Sequence, residues 1–296
     1  MNEPRVPASA RRLAVLGSPI EHSLSPRLHR AAYSVLGLDW RYDAVEVPES
    51  GLSSFVSGRD DTWLGLSLTM PLKHGIRPLL DHRDELSILA GSTNTVRFRG
   101  TAGDRRLDGF NTDVGGIVRA LAERSIVSAR HVAVLGGGAT AASAIVAAAQ
   151  LGAEHVSVLT RSPERAEGLR PIAQRSGTTI TLLPLTVASL DIVDALLVIS
   201  TLPGATGAAA VVQESSLASR SDLLDVAYHP WPSELGTIWA RYDRTVVSGL
   251  RMLIHQALLQ IRIFVTGDPA LSLPDEPAVL AAMESSLDTT DEQHAR

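Results

Sequence analysis

Residues able to move a proton or hold a small anion gather in a few short stretches of this sequence. The first surrounds Lys73, the single lysine among 27 basic side chains. A guanidinium stays protonated and serves for charge and anion binding, whereas an amine can also give up a proton. Compositional bias explains the arginines as readily as selection does, so the position of the lysine has to decide. Lys73 closes Thr69-Met-Pro71-Leu-Lys73, where a strand ends and proline opens a helix. A cation in a first turn opposes the helix dipole, which points to a ligand or a partner carboxylate. The second stretch is Gly17-Ser-Pro-Ile-Glu-His-Ser-Leu-Ser-Pro26. Ser25 reads as an N-cap with Pro26 at the first helical position, which accounts for Ser25 but not for Ser23. Two hydroxyls and a helix N-terminus at one point would hold a small carboxylate. Asn94 follows Gly91-Ser-Thr at a turn into a strand, and Asp113 ends Asn111-Thr-Asp before a helix. Helix capping is the structural alternative to a chemical role for Asp113.

A further stretch suits a dinucleotide. Gly136-x-Gly138 lies between an apolar run, His131–Leu135, and an alanine-rich helix, Ala139–Gln150. Backbone amides and a helix N-terminus can reach a pyrophosphate only where side chains do not block the approach. Ala141 takes the third position of the fingerprint, and an ordinary tight turn is the alternative. The next strand ends in Thr160-Arg161-Ser162, with Arg165 one turn later. An acid here would accept from a ribose 2′-hydroxyl. Two guanidinium groups and two hydroxyls suit a 2′-phosphate instead, hence NADP(H) over NAD(H).

These residues need elements to carry them. The first half predicts strands at Leu13–Gly17, Arg41–Val47 and Trp63–Thr69, with a helix over Pro26–Gly37. Val96–Arg99 and Arg106–Phe110 read as a hairpin around Thr101–Asp104, with Gly103 supplying the turn. From residue 130 a cleaner alternation begins: strands at His131–Leu135, His155–Thr160, Thr179–Leu183, Ala195–Ser200, Leu223–Val226 and Thr245–Val247. Such alternation argues for a parallel sheet covered on both faces. A last apolar helix, Leu250–Val265, follows. The 296 residues suffice for two domains, and 45% hydrophobic with 20% charged residues is ordinary for a globular protein. A net charge of -5 gives no reason to expect nucleic acid or an anionic membrane as partner. The absence of cysteine excludes disulfides and thiolate-bound metal. The nine histidines lack ligand spacing, and His22, His74 and His255 read as polar neighbours of the motifs, so no metal is expected. No apolar run is long enough for a membrane span, and Met1 to Arg12 lacks a signal-type h-region. The expectation is a cytoplasmic protein acting on small molecules, as a monomer or homodimer.

Taken in order, the motifs resemble those of the shikimate dehydrogenase family: 17–26, Ser67-Leu-Thr-Met-Pro-Leu-Lys73, Asn94-Thr95, Asn111-Thr-Asp113, Gly136–Gly138, Asp225–Tyr228 and Gly249-Leu-Arg-Met-Leu-Ile-His-Gln256. The run Asp-Val-Ala-Tyr-His-Pro-Trp-Pro is similar to actinobacterial members. The resemblance implies an α/β chain of two domains. An N-terminal α/β substrate domain would span 1–113 and a Rossmann-type doubly wound NADP-binding domain 114–249, with C-terminal helices over 250–285 returning to the substrate domain. It implies reversible NADPH-dependent reduction of 3-dehydroshikimate to shikimate, in the chorismate route to aromatic amino acids. Ser23 and Ser25 would bind the carboxylate, and Thr69, Asn94, Tyr228 and Gln256 the ring hydroxyls, with Lys73 and Asp113 beside the reacting hydroxyl. Gly136, Gly137, Gly138, Ala139, Thr140, Thr160, Arg161, Ser162, Arg165, Val226 and Gly249 would contact NADP. The chain departs from the family pattern at Ser67 (Asn-Val-Thr in the family), at Val114, at Thr160 (Asn-Arg-Thr) and at Ile199-Ser200 (Asn-Ala-Thr). Two other readings remain: a quinate/shikimate dehydrogenase using NAD, which Ser25 and Arg161 oppose, and a catalytically silent binding regulator, which retention of Lys73 and Asp113 opposes.

Overall fold

The computed structural model describes residues 11–101, 103–203 and 207–288. They form two compact units. The first runs to Asp84, resumes over Thr93–Phe110 and takes the chain from Ala257 onward; the second holds Glu85–Ser92 and Asn111–Gln256. The divisions thus fall after Phe110 and Gln256 rather than after 113 and 249, and the 85–92 segment belongs to the second unit. The reason lies in packing. Ala90 and Met252 are buried in the same core as Val114, Ile117 and Ile145, and the Asn111 amide donates to Ser92 O and to Ser143 Oγ.

The first unit is built on β1 (Arg11–Gly17), β2 (Trp40–Glu46), β3 (Trp63–Leu68), β4 (His82–Arg83), β5 (Thr95–Arg99) and β6 (Arg106–Phe110), in the order β2-β1-β3-β5-β6-β4. β1 runs parallel to β2 and β3, while β5 is antiparallel to both β3 and β6. Ala14, Leu16, Leu66, Leu68 and Val96 bury one face against Leu52, Leu72 and Ile76. The other face receives the part of the helix Gly249–Thr266 that follows Gln256. Its Phe264 lies so close to β3 that a Cβ on Gly65 would come within 2.5 Å of the ring. The final helix, Glu276–Asp288, packs on the helix Ser25–Val35. Arg262 holds the turn between the two C-terminal helices by pairing with Glu276 and donating to Pro269 O at 2.9 Å. At the hairpin Asp104 N donates to Thr101 O and Gly100 has φ 74; Ala102 lies outside the described residues.

The second unit is a six-stranded parallel sheet of β7 (His131–Leu135), β8 (His155–Thr160), β9 (Thr179–Pro184), β10 (Leu197–Ser200), β11 (Asp222–Asp225) and β12 (Val246–Ser248). Its order, β12-β11-β10-β7-β8-β9, is the doubly wound arrangement in which strand order reverses beside the first strand. Apolar clusters cover both faces, one around Val134, Ile145 and Val158, the other around Leu135, Val198 and Trp239. Central parallel strands buried on both faces explain why β7 and β8 read as nearly unbroken apolar runs. Among the described residues no helix is long and apolar enough to cross a membrane.

Candidate active site

In the first unit the sheet brings Ser23, Ser25, Thr69, Lys73 and Asn94 to one end. β1 and β3 are parallel, so the loops leaving them emerge together. They are stitched there: Ser18 N donates to Met70 O at 3.0 Å, and Thr69 N to Leu16 O at 2.9 Å. The approach is close enough that a Cβ on Gly17 would collide with the Thr69 methyl. β5 is antiparallel to β3, so its first residues lie at the same end, and Thr93 N donates to Lys73 O at 2.9 Å. Asn94 is 2% exposed; its N donates to Phe110 O, its O accepts from Leu68 N at 2.7 Å, and its Oδ1 accepts from Thr95 Oγ1. Lys73 and Thr69 are half-buried. A ring of hydroxyls, one amide and one amine along one sheet end can hold a small polyhydroxylated acid and pass it a proton.

Two local expectations change. Ser25 is the first helical residue; Leu24 occupies the cap position without a side-chain bond, and it is Ser23 Oγ that accepts the Ser25 amide, at 3.4 Å. The capping account therefore does not explain Ser25, whose hydroxyl sits in the first turn beside Pro26. The helix opened by Pro71 is one turn long, Leu72–Gly75, so Lys73 lies in its last turn as much as its first. The dipole argument for Lys73 lapses, and its case rests on its neighbours. Asp113 is the first residue of the helix Asp113–Ala122, and Asn111 Oδ1 accepts from that helix's Val114 N at 3.2 Å. Asp113 is 4% exposed.

The second unit carries the remaining candidates. Gln256 is 7% exposed; its Nε2 donates to Leu253 O, and Thr112 Oγ1 lies 3.4 Å from its Oε1. Gly116 makes this approach possible, since a Cβ there would stand 2.9 Å from both Gln256 Cβ and Met252 O. His255, next in the chain, bonds Glu123 at 2.7 Å, and burial lowers its pKa. Tyr228 follows Asp225, whose carboxylate accepts from Ala227 N and from Ser233 Oγ at 2.6 Å. Burial raises the pKa of both Asp225 and Tyr228.

At the switch point of this sheet, Gly136 has φ 110, and a Cβ on it would come within 2.5 Å of Thr201 Oγ1. Gly138 faces open space, and among the described residues no side chain bonds the N-terminal amides of the helix Ala139–Gln150. A cradle closed to a Cβ at Gly136, beside bare amides, fits a dinucleotide pyrophosphate. Thr160 ends β8 against Gly137. Arg161 and Arg165 are exposed and form no ion pair or side-chain hydrogen bond among the described residues. Other arginines of this unit are held by acids, Arg130 by Glu154 and Arg170 by Glu167. Two uncommitted guanidinium groups where an acid would select a ribose hydroxyl fit a 2′-phosphate. Gly249 opens the helix Gly249–Thr266 against Val226, whose main chain a Cβ on Gly249 would strike.

Sequence reasoning missed a set of buried polar residues, His29, Tyr42 and Gln260, and gave no role to Ser67. His29 is four residues after Ser25 and Gln260 four after Gln256, so the helical repeat puts each below a site residue. Ser67 Oγ bonds Tyr42 Oη and Gln260 Oε1.

Comparison with known proteins agrees with this geometry. The shikimate dehydrogenase substrate binding domain matches residues 15–96. The shikimate dehydrogenase (NADP(+)) of Methanopyrus kandleri is 32% identical over 278 residues, covering 90% of this chain and 93% of that protein. The crystal structure of Mycobacterium tuberculosis shikimate dehydrogenase matches with a TM-score of 0.81 at 34% identity, over 93% of this chain and 99% of the other. The Thermus thermophilus shikimate 5-dehydrogenase solved in complex with NADP(H) and shikimate matches with a TM-score of 0.76 at 29% identity, over 94% of this chain and all of that one. With two relatives above 30% identity along nearly their whole length, the chain belongs to the shikimate dehydrogenase family.

Proposed function

We propose that this protein is an NADP-dependent shikimate dehydrogenase, interconverting 3-dehydroshikimate and shikimate in the cytoplasm as a step toward chorismate. The observation that carries the reading is the gathering of Ser23, Ser25, Thr69, Lys73 and Asn94 at one end of the first sheet. Ser23 and Ser25 take the carboxylate, at the start of a helix whose positive end favours it. Thr69 and Asn94 address ring hydroxyls, as do Tyr228 and Gln256. Lys73 gives a proton to the oxygen that becomes a hydroxyl during reduction and stabilises the charge building there. Asp113 acts with Lys73 at the same oxygen, holding the amine, and in the reverse direction the proton returns from the substrate hydroxyl to the Lys73 amine. NADPH, when bound, supplies the hydride. Gly136, Gly137, Gly138, Ala139 and Thr140 would hold its pyrophosphate, Thr160, Arg161, Ser162 and Arg165 its 2′-phosphate, and Val226 and Gly249 its nicotinamide end.

Initial rates with shikimate and with quinate, each with NADP and with NAD, test the proposal. Shikimate with NADP should give the highest kcat/KM, by about tenfold or more over either alternative, the scale of a lost charge-assisted contact. Preference for quinate or for NAD would select the alternative dehydrogenase reading. Absence of turnover in all four would select a binding regulator.

A further inference from the structure

Beneath the side chains assigned to shikimate in the first unit lies a layer of polar groups that the proposed reaction does not use. His29 sits one turn past Ser25, and Ser67 one pleat repeat before Thr69 on β3. Gln260 joins them from the helix Gly249–Thr266. His29, Ser67 and Gln260 are 0%, 2% and 2% exposed. Buried polar groups are costly unless bonded, and these are bonded to one another. Tyr42 Oη donates to Ser67 Oγ at 2.6 Å, and Ser67 Oγ donates to Gln260 Oε1 at 2.9 Å. His29 Nε2 lies 3.2 Å from the same Gln260 oxygen and Nδ1 3.0 Å from the Tyr33 hydroxyl. Gln260 Nε2 donates to Asn94 O at 3.4 Å, the oxygen that also accepts Leu68 N.

The directions follow from the acceptors. Gln260 Oε1 can only accept, so His29 carries its proton on Nε2 and accepts from Tyr33 at Nδ1. Every bond then points the same way, from two tyrosine hydroxyls through Gln260 to the Asn94 carbonyl. Burial lowers the His29 pKa to about 3, so the ring stays neutral and the directions hold at neutral pH. The ring also stacks on Tyr42, with centroids 3.8 Å apart. An apolar cluster of the same shape would be at least as stable; what a fully bonded network adds is a single arrangement of the groups it ends on.

We propose that His29, Ser67 and Gln260 are positioning residues, fixing Asn94 and the end of β3 that carries Thr69 in the geometry that receives the substrate ring. The proposal rests on the shikimate dehydrogenase reading. It concerns substrate geometry, so its mark is a shikimate KM that rises while the KM for NADP does not.

Ser67→Val and Ser67→Thr have the same shape and differ by the hydroxyl alone. The expected result is a shikimate KM about tenfold higher in Ser67→Val than in Ser67→Thr, the scale of one buried hydrogen bond, with NADP KM equal in the two. Tyr42→Phe, which removes the first donor and no volume, should raise the shikimate KM in the same sense, and it decides the matter if the β-branched variants do not fold. Equal shikimate KM in the Val and Thr variants, a wild-type KM in Tyr42→Phe, or a matching rise in NADP KM would overturn the proposal. A wild-type protein that does not oxidise shikimate would instead overturn the underlying reading, and the positioning role with it.

Discussion

At the scale of single residues, environment assigns work more sharply than residue type. Ser25 looks like a helix cap in sequence, yet it does not cap: it is the first helical residue, and Leu24 precedes the helix without a side-chain bond. The motifs were legible because each pairs a chain-reversing residue with a hydroxyl, an amide or an acid. The buried layer was not, because one histidine or glutamine on a largely apolar helix has no local signature. His29 gives that layer a stability signature. In the unfolded chain its imidazole titrates near 6.5, and in the fold at about 3. Between those values the unfolded chain binds the extra proton, so stability falls as pH falls, by about 1.4 kcal/mol per pH unit from this group. Above 6.5 the group contributes no slope. Denaturant titrations from about pH 6 to about pH 4 should show a steeper loss in wild type than in His29→Gln, by roughly that slope. Parallel curves would mean that the ring is protonated in the fold.

At the scale of elements, the dinucleotide half was the more readable. His131–Leu135, Ala139–Gln150 and His155–Thr160 have the same bounds in sequence and structure, because a strand buried on both faces, a glycine turn and an alanine helix each leave an unmixed pattern. β4 left none: His82–Arg83 is two polar residues that become a strand only by pairing with β6, a partner set by the fold. The helix Glu85–Ala90 was likewise too short to show a period, and its place in the second unit follows from burying Ala90 against Val114 and Ile145. The junction of β12 with the helix Gly249–Thr266 depends on close approach rather than pattern. Gly249→Ala should drive its methyl into the Val226 main chain. The expected outcome is a loss of about 1–3 kcal/mol, as for other overpacked sites, seen as a lower Tm, with a higher KM for NADP if Val226 and Gly249 face the nicotinamide. An unchanged Tm would show that the junction yields at no cost.

At the scale of the molecule, chemistry is divided between two sheets of different design. The mixed sheet of the first unit gathers hydroxyls, an amide and an amine at one end, and the parallel sheet of the second opens a glycine cradle at its switch point. Alternation of strands and helices made the two-domain α/β plan readable, but the exchange of residues 85–92 and the division inside the helix Gly249–Thr266 were not, since both are settled by contacts far apart in sequence. Arginine everywhere except position 73 remains the feature with the largest chemical consequence. The most direct test of the whole account is the initial rate of shikimate oxidation with NADP by wild-type protein beside Lys73→Arg, which keeps the charge and removes the exchangeable amine proton. The account predicts turnover by wild type and a kcat lower by about 100-fold or more in the variant, the scale of general acid–base catalysis, with little change in shikimate KM. A wild type without turnover, or a Lys73→Arg variant that works at the wild-type rate, would contradict it.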